Sequence, residues 1–238
     1  MKQGVLYLVP NFIGNSTAEH QFPVYNTEVI RSLRHFFVEN PKPARVLIKA
    51  LYKEVNFNEV ELFHFDKHAK DNSEVYATVL NCLKNGNSVG VLSDAGCPGI
   101  ADPGSDLVRW AHDKNIEVIP LIGPSSIFLT LMASGLHGQN FHFIGYLPKD
   151  AQEKTEQIRK LAAQIKNTRT TYLMIETPYK TEATFKDLLQ HLNTGTRLCL
   201  GIDIFSASQQ IITRTIEQWK SLKTLPTLKD RQVVFAIG

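Results

Sequence analysis

Cysteine is scarce in this chain: Cys82, Cys97 and Cys199 form no C-x-x-C pair, and their odd number suits a reducing compartment rather than a disulfide framework or a zinc finger. Long apolar runs are absent too. The longest, residues 116–122 and 127–133, are broken by Glu117 and Thr130 and fall well short of the roughly 20 residues that span a bilayer. Met1-Lys2-Gln3-Gly4 leads straight into a strand-like segment with no signal-peptide core, so a cytoplasmic protein with no membrane partner is expected. Net charge is small, 26 basic against 23 acidic residues for a formal +3, with no basic or acidic tail, so charge alone does not demand a nucleic-acid partner. No G-x-G-x-x-G, G-x-x-x-x-G-K-[ST] or G-x-S-x-G run occurs, which argues against a dinucleotide fingerprint, a phosphate loop and a hydrolase elbow. His64-x-x-x-His68, with Asp66 between, begins at the end of an expected strand, where residues four apart share no helix face, so no metal site is expected. The two tryptophans, Trp110 and Trp219, stand at helical spacing among apolar residues and read as core or interface.

What is present is an ordinary globular composition, 43% hydrophobic and 21% charged, in which short β-rich runs alternate with helical periods. That alternation predicts an α/β fold. Strands are expected at residues 5–9, 60–65, 88–93, 116–121, 141–146, 171–176, 198–204, 209–215 and 232–237. Helices are expected at 27–38, 43–53, 73–83, 105–114, 125–133, 151–166 and 179–192. The first carries Val29, Ile30, Leu33, Phe36 and Phe37 on one face, with Asn26 or Thr27 as its cap. A turn at Gly123-Pro124, after which the spacing of elements changes, divides the chain into an N-terminal α/β domain, 1–121, and a C-terminal α/β domain, 122–238.

The segment Ser93-Asp94-Ala95-Gly96-Cys97-Pro98-Gly99-Ile100-Ala101-Asp102-Pro103-Gly104 follows a continuous apolar strand and precedes a helix. Ligands collect at such strand ends, and glycines there admit positive φ or close backbone approach. A rigid strand-to-helix turn explains the same composition equally well. The helix that starts after Gly123-Pro124 offers unpaired N–H groups to an anion, or is simply a Pro-Ser cap.

These residues carry a resemblance. The dodecamer resembles the S-D-A-G-x-P-x-I-[SA]-D-P-G signature of the small-subunit ribosomal RNA methyltransferase I family within the tetrapyrrole methylases, with Cys97 in place of a threonine. Residues 4–10 with Ile13-Gly14-Asn15, Gly123-Pro124-Ser125-Ser126, Gly145-Tyr146-Leu147-Pro148 and Glu176-Thr177-Pro178-Tyr179-Lys180 resemble that family's other markers, in order. The resemblance implies two tetrapyrrole-methylase-type α/β domains with S-adenosylmethionine in the interdomain cleft. It implies cofactor contacts from Pro10, Asp94, Ala95, Gly96, Ile100, Gly123, Ser125, Ser126, Ile175 and Ile204, and a homodimer. The implied reaction is methylation of a ribose 2′-hydroxyl in ribosomal RNA or the small ribosomal subunit. The alternatives are methylation of a tetrapyrrole carbon and a non-catalytic ribosome- or RNA-binding relative. A ribose hydroxyl needs help to lose its proton, and Asp94 and Glu176 are the candidate bases; a turn-capping carboxylate explains each as well.

Departures lie on the acceptor side. Where the family shows an acid-Asp-Thr-Arg run, this chain has Val38-Glu39-Asn40-Pro41-Lys42, with Arg45 nearby; residues 16–25 lack the usual leucine-rich lead into the first helix; and the small helical segment the resemblance implies after residue 238 is not in the sequence. Lys42, Arg45, Lys49 and Lys53 share a helix face that would track phosphates or, more commonly, be solvated opposite Ala44, Leu47, Ile48 and Leu51. Lys149, Lys154, Arg159, Lys160 and Lys166, interspersed with Asp150, Glu153 and Glu156, are expected to be solvated.

Overall fold

The computed structural model describes residues 3–64, 73–102 and 104–238. The chain divides into two compact units, Met1–Ser125 and Ser126–Gly238. The first unit runs β1 (Leu6–Val9), α1 (Ala18–Gln21), α2 (Val24–Ser32), β2 (His35–Val38), α3 (Pro41–Leu51), β3 (Glu61–His64), α4 (Ser73–Lys84), β4 (Val89–Leu92), α5 (Gly104–Asp113) and β5 (Val118–Pro120). Its five strands form a parallel sheet in the order β3-β2-β4-β1-β5. Helix-connected parallel strands are covered on both faces, and the interior strand β4, Val-Gly-Val-Leu, is buried throughout. Alternate residues then feed opposite cores: Phe36, Val38 and Leu92 pack with α2 and α3 residues Ile30, Leu47 and Ile48, while Phe37, Val89 and Val91 pack with Val79, Leu83 and Leu107 of α4 and α5.

One expected element is corrected by this packing. The helix expected over residues 27–38 ends at Ser32, Leu33 is extended (φ −87°, ψ 145°), and His35–Val38 is a strand. Phe36 and Phe37 are adjacent yet belong to different cores, which a strand allows and a single helix stripe does not. Nor do Asn26 or Thr27 cap the helix. Pro23 is its N-cap, and the Asn26 amide donates to Ile122 O at 2.8 Å. Asn40 is the cap of α3, accepting from Lys42 N at 3.0 Å with Pro41 opening the helix, so the segment that departs from the family run is a helix start. Lys42, Arg45 and Lys49 lie exposed on α3 opposite the buried Ala44, Leu47, Ile48 and Leu51, while Lys53 lies past the helix end, its carbonyl accepting from Lys49 Nζ.

The second unit runs α6 (Ser126–Ser134), β6 (Phe141–Tyr146), α7 (Ala151–Thr168), β7 (Thr171–Glu176), α8 (Thr181–His191), β8 (Arg197–Ile202), β9 (Gln210–Thr215), α9 (Ile216–Lys220) and β10 (Val233–Ile237). Its sheet, β6-β7-β10-β8-β9, is mixed: β6 and β7 are parallel, and β10 runs antiparallel to both neighbours. Val233, Phe235 and Ile237 face α7, α8 and α9, and Val234 and Ala236 face α6. Trp219 is buried, edge-on to Phe185, with its indole N–H donating to Leu198 O at 2.9 Å; Trp110 is half-buried and stacks on Tyr76. Lys154 is not simply solvated, since it pairs with Asp187 at 2.8 Å and joins α7 to α8. None of the described helices is long and apolar enough to cross a membrane. His64 ends β3, exposed; Phe65, Asp66, His68 and Pro103 lie outside the described residues, as do Met1 and Lys2. Among the described residues no cluster of His, Cys, Asp or Glu could hold a metal.

Candidate functional site

In the first unit the register Val9↔Leu92 and Leu8↔Pro120 brings the carboxyl ends of β1, β4 and β5 to one sheet edge. Pro10, Asp94, Ala95, Gly96, Ile100, Gly123 and Ser125 all follow those three strands, so every expected contact from this unit gathers there. The residue that shapes the edge is Asn11, which is 2% exposed. Its amide donates to Ser93 O at 2.9 Å, its side-chain oxygen accepts from Phe12 N at 2.8 Å, and its main chain pairs with Gly96 in both directions (2.8 and 3.2 Å). Ser93 Oγ closes the turn from inside, within 3.2 Å of Ala95 O and 3.1 Å of Gly96 O. This clasp leaves Asp94 and Ala95 exposed at the tip and holds Gly96 buried at φ +69°, a conformation that a side chain would strain.

The second half of the loop is closed by Asp102, whose Oδ1 accepts from Gly99 N (2.8 Å) and Gly104 N (2.7 Å) where α5 begins. Ile100 is exposed, an apolar surface beside the polar tip. Cys97 Sγ lies 3.4 Å from Pro124 O and 3.9 Å from Gly123 O, joining this loop to the 121–125 turn. Burial pushes its thiol pKa up and the Asp102 charge adds to that, so the sulfur keeps the proton it donates. Gly123 packs against the Pro10 ring so closely that a Cβ there would lie 2.2 Å from Pro10 Cβ. Gln21, also buried, grips Ile13 through both its main-chain groups (3.0 and 2.9 Å), so this chain fixes residues 10–15 with amide side chains. A shallow, open cleft lies between the ends of β2 and β4, with Glu39, Ser93 and Asp102 on its walls.

In the second unit the pairs Tyr146↔Ile175, Glu176↔Val233 and Val233↔Ile202 align the ends of β6, β7 and β8. Ile175 and Glu176 end β7, and Ile204 follows β8. Helix α6 lies along this sheet with Ser134 O accepting from Thr213 and Thr130 against Gly201, so its first residue, Ser126, points to the same edge. Glu176 is tied down on both oxygens: Oε1 accepts from Thr177 N (2.7 Å) and Thr177 Oγ1 (3.1 Å), and Oε2 from Thr184 Oγ1 (3.0 Å). It therefore clasps the start of α8. Ile204 is buried between two residues in left-handed backbone, Asp203 (φ 45°) and Phe205 (φ 63°). Asp203 holds that shape by accepting from Arg231 Nε (2.7 Å), Ser208 Oγ (2.9 Å) and Gln232 N (2.9 Å). Burial alone would raise its pKa, but these hydrogen bonds and the Arg231 charge hold it below the ordinary carboxylate value.

Asn11, Gln21 and the Asp203–Arg231 pair were not legible as site residues. Asn11 and Asp203 work through partners far along the chain, 82 and 28 residues away, Gln21 through Ile13 eight residues back, and none sits in a recognisable pattern. Asp102 had a local signal, an Asp just before Pro-Gly at a helix start.

Comparison with known proteins agrees with this architecture. The family described as Tetrapyrrole (Corrin/Porphyrin) Methylases matches residues 25–219. A ribosomal RNA small subunit methyltransferase I of Buchnera aphidicola subsp. Schizaphis graminum is 28% identical over 85% of this chain and 66% of its own length, and one of Leptospira biflexa 27% identical over 89% and 82%. The chain thus spans about two thirds of the first relative. Among solved structures, a Thermus thermophilus uroporphyrin-III C-methyltransferase complexed with S-adenosylhomocysteine shares the fold, with TM-score 0.58 and 14% identity over 99% of this chain and 97% of that one.

Proposed function

The chain belongs to the tetrapyrrole (corrin/porphyrin) methylases and is an S-adenosylmethionine-dependent methyltransferase, and we propose that it methylates a ribose 2′-hydroxyl of small-subunit ribosomal RNA. The reading of the acceptor rests on its relatives, small-subunit ribosomal RNA methyltransferases similar to this chain along most of its length. The tetrapyrrole acceptor of the solved structure is not carried over, because 14% identity conveys fold alone.

The residues at the two sheet edges fit the donor. Its neutral adenine calls for main-chain donors and acceptors beside apolar surface, and in the first unit the clasped Asp94–Gly96 turn and Ile100 offer both. Its carboxylate calls for N–H groups, which the first turn of α6, with Ser125 and Ser126, supplies. Bound there, S-adenosylmethionine provides an electrophilic methyl group on a sulfonium. The protein's part is to hold that group in line with the incoming oxygen and keep water out. Asp94, at the exposed tip of the turn, is assigned to accept the 2′-hydroxyl proton at its carboxylate. Glu176, committed to Thr177 and Thr184, is assigned to hold the β7–α8 corner. A cytoplasmic location and a homodimeric state belong to the same proposal, the latter checked by light scattering. Incubation of the purified protein with labelled S-adenosylmethionine and immature small ribosomal subunits is expected to label the RNA. Label that enters uroporphyrinogen or a cobalt-precorrin instead overturns the acceptor.

A further inference from the structure

Two tyrosines at the carboxyl edge of the second sheet are turned to solvent by the backbone itself. Tyr146, the last residue of β6, is 56% exposed, and Tyr179, just beyond β7, is 72% exposed. The pairing of β6 with β7 shifts register between Phe143 and Tyr146, and Gly145 inside that irregularity has φ +70°. Such a bulge re-aims the side chain that follows it. Tyr179 is carried by the short 3-10 turn Pro178–Lys180, fixed on one side by the Glu176–Thr177 hydrogen bonds and on the other by Thr181 Oγ1, which donates to Pro178 O at 2.9 Å.

Each ring has an ammonium group in its neighbourhood. The Lys180 ammonium lies 5.6 Å from the centre of the Tyr179 ring, and Lys149 is exposed three residues after Tyr146. The carboxylates in the same stretches keep their charge but are directed to main-chain or hydroxyl donors: Asp150 caps α7 through Gln152 N and Glu153 N, Glu182 accepts from Lys229 N, and Glu176 is clasped as described. Rigid exposed rings beside ammonium groups suit unstacked bases and their phosphates, since every base has a π-face and every linkage a negative charge.

From this juxtaposition we propose that Tyr146 and Tyr179, with Lys149 and Lys180, form a stacking platform for single-stranded RNA at the edge that also carries Ile175 and Ile204. The inference rests on the reading of the acceptor as RNA. It assigns these four side chains to holding the nucleotides of the substrate, a role separate from cofactor binding.

The test compares wild type with the Tyr146→Ala/Tyr179→Ala and Tyr146→Phe/Tyr179→Phe variants. Three measurements are made on each: quenching of a single-stranded oligoribonucleotide containing 2-aminopurine, S-adenosylhomocysteine affinity, and methylation of small ribosomal subunits. The alanine pair is expected to lose roughly tenfold or more of RNA affinity per ring and the 2-aminopurine quenching, raising KM for RNA while kcat and cofactor affinity hold. The phenylalanine pair is expected to stay within about threefold of wild type, because stacking needs the ring and not the hydroxyl. Lys180→Ala is expected to flatten the salt dependence of RNA binding by about one phosphate contact. An alanine pair that quenches and methylates as wild type does overturns the platform. So does one whose only change is dissociation of an oligomer, which would make the tyrosines a contact between copies. A wild-type protein that neither binds nor methylates RNA overturns the acceptor reading itself, a result distinct from active wild type with an indifferent alanine pair.

Discussion

Gly123 and Pro10 meet ring to backbone, so the smallest possible addition at residue 123 has no space. Gly123→Ala would place a Cβ 2.2 Å from Pro10 Cβ, and a proline ring cannot swing aside as a flexible side chain would. The expected cost is about 1–3 kcal/mol of stability together with loss of the stabilisation by S-adenosylhomocysteine, read from urea melts with and without that ligand. A variant that melts and responds like wild type would show that this contact does not shape the cofactor turn. Asp203 gives a prediction with a sign. Its folded pKa lies below the unfolded value, so its contribution is fully present above the ordinary carboxylate pKa and disappears as pH falls through the folded value. Asp203→Asn is therefore expected to be less stable than wild type near neutrality, and the gap should close in acid. A gap that is constant with pH would contradict the role given to the Arg231 pair. The two candidate bases separate by the same kind of reasoning. Asp94→Asn is expected to lower kcat by about 10²- to 10⁴-fold with cofactor affinity kept, whereas Glu176→Gln is expected to lose about 1.5–3 kcal/mol of stability by disturbing its hydrogen bonds with Thr177 and Thr184. Melts and single-turnover rates on the two variants distinguish these roles.

At the scale of elements, the sequence was most legible where one periodicity acted alone. The strands at residues 141–146 and 171–176 and the helix beginning at Ala151 stand where their patterns put them. It was least legible at His35–Val38, where two adjacent phenylalanines satisfy a helical stripe in one dimension and opposite faces of a sheet in three. The second arrangement wins because pairing with β3 and β4 buries both faces at once. Phe36→Leu and Phe37→Leu test this directly. Each is expected to cost under about 1.5 kcal/mol, and the double variant to be additive within about 0.5 kcal/mol, because the rings sit in separate cores. Strong coupling in that cycle would mean a shared core. The site divides the same way. The glycine-rich loop announces itself in composition, while the Asn11–Ser93 clasp that fixes it, and the Asp203–Arg231 pair that shapes the loop after β8, exist only once distant strands are side by side.

At the scale of the molecule, each five-stranded sheet delivers its expected cofactor residues to the carboxyl edge of parallel strands, although the first sheet is wholly parallel and the second mixed. Open α/β sheets place ligands at such edges because loops there are free to vary while the strands hold them in place. Saturating S-adenosylhomocysteine, at about 100 times its dissociation constant, is expected to add roughly 2.7 kcal/mol, visible as a higher melting temperature. The acceptor is reached most directly by alkaline hydrolysis mapping of small-subunit ribosomal RNA from cells with and without this protein, since a methylated 2′-oxygen can no longer attack its own phosphate. One ribose that resists cleavage only when the protein is present is the expected result, and restoring the wild-type chain should restore it. Identical cleavage profiles, with the methyl group found on a base or on no RNA at all, would contradict the account.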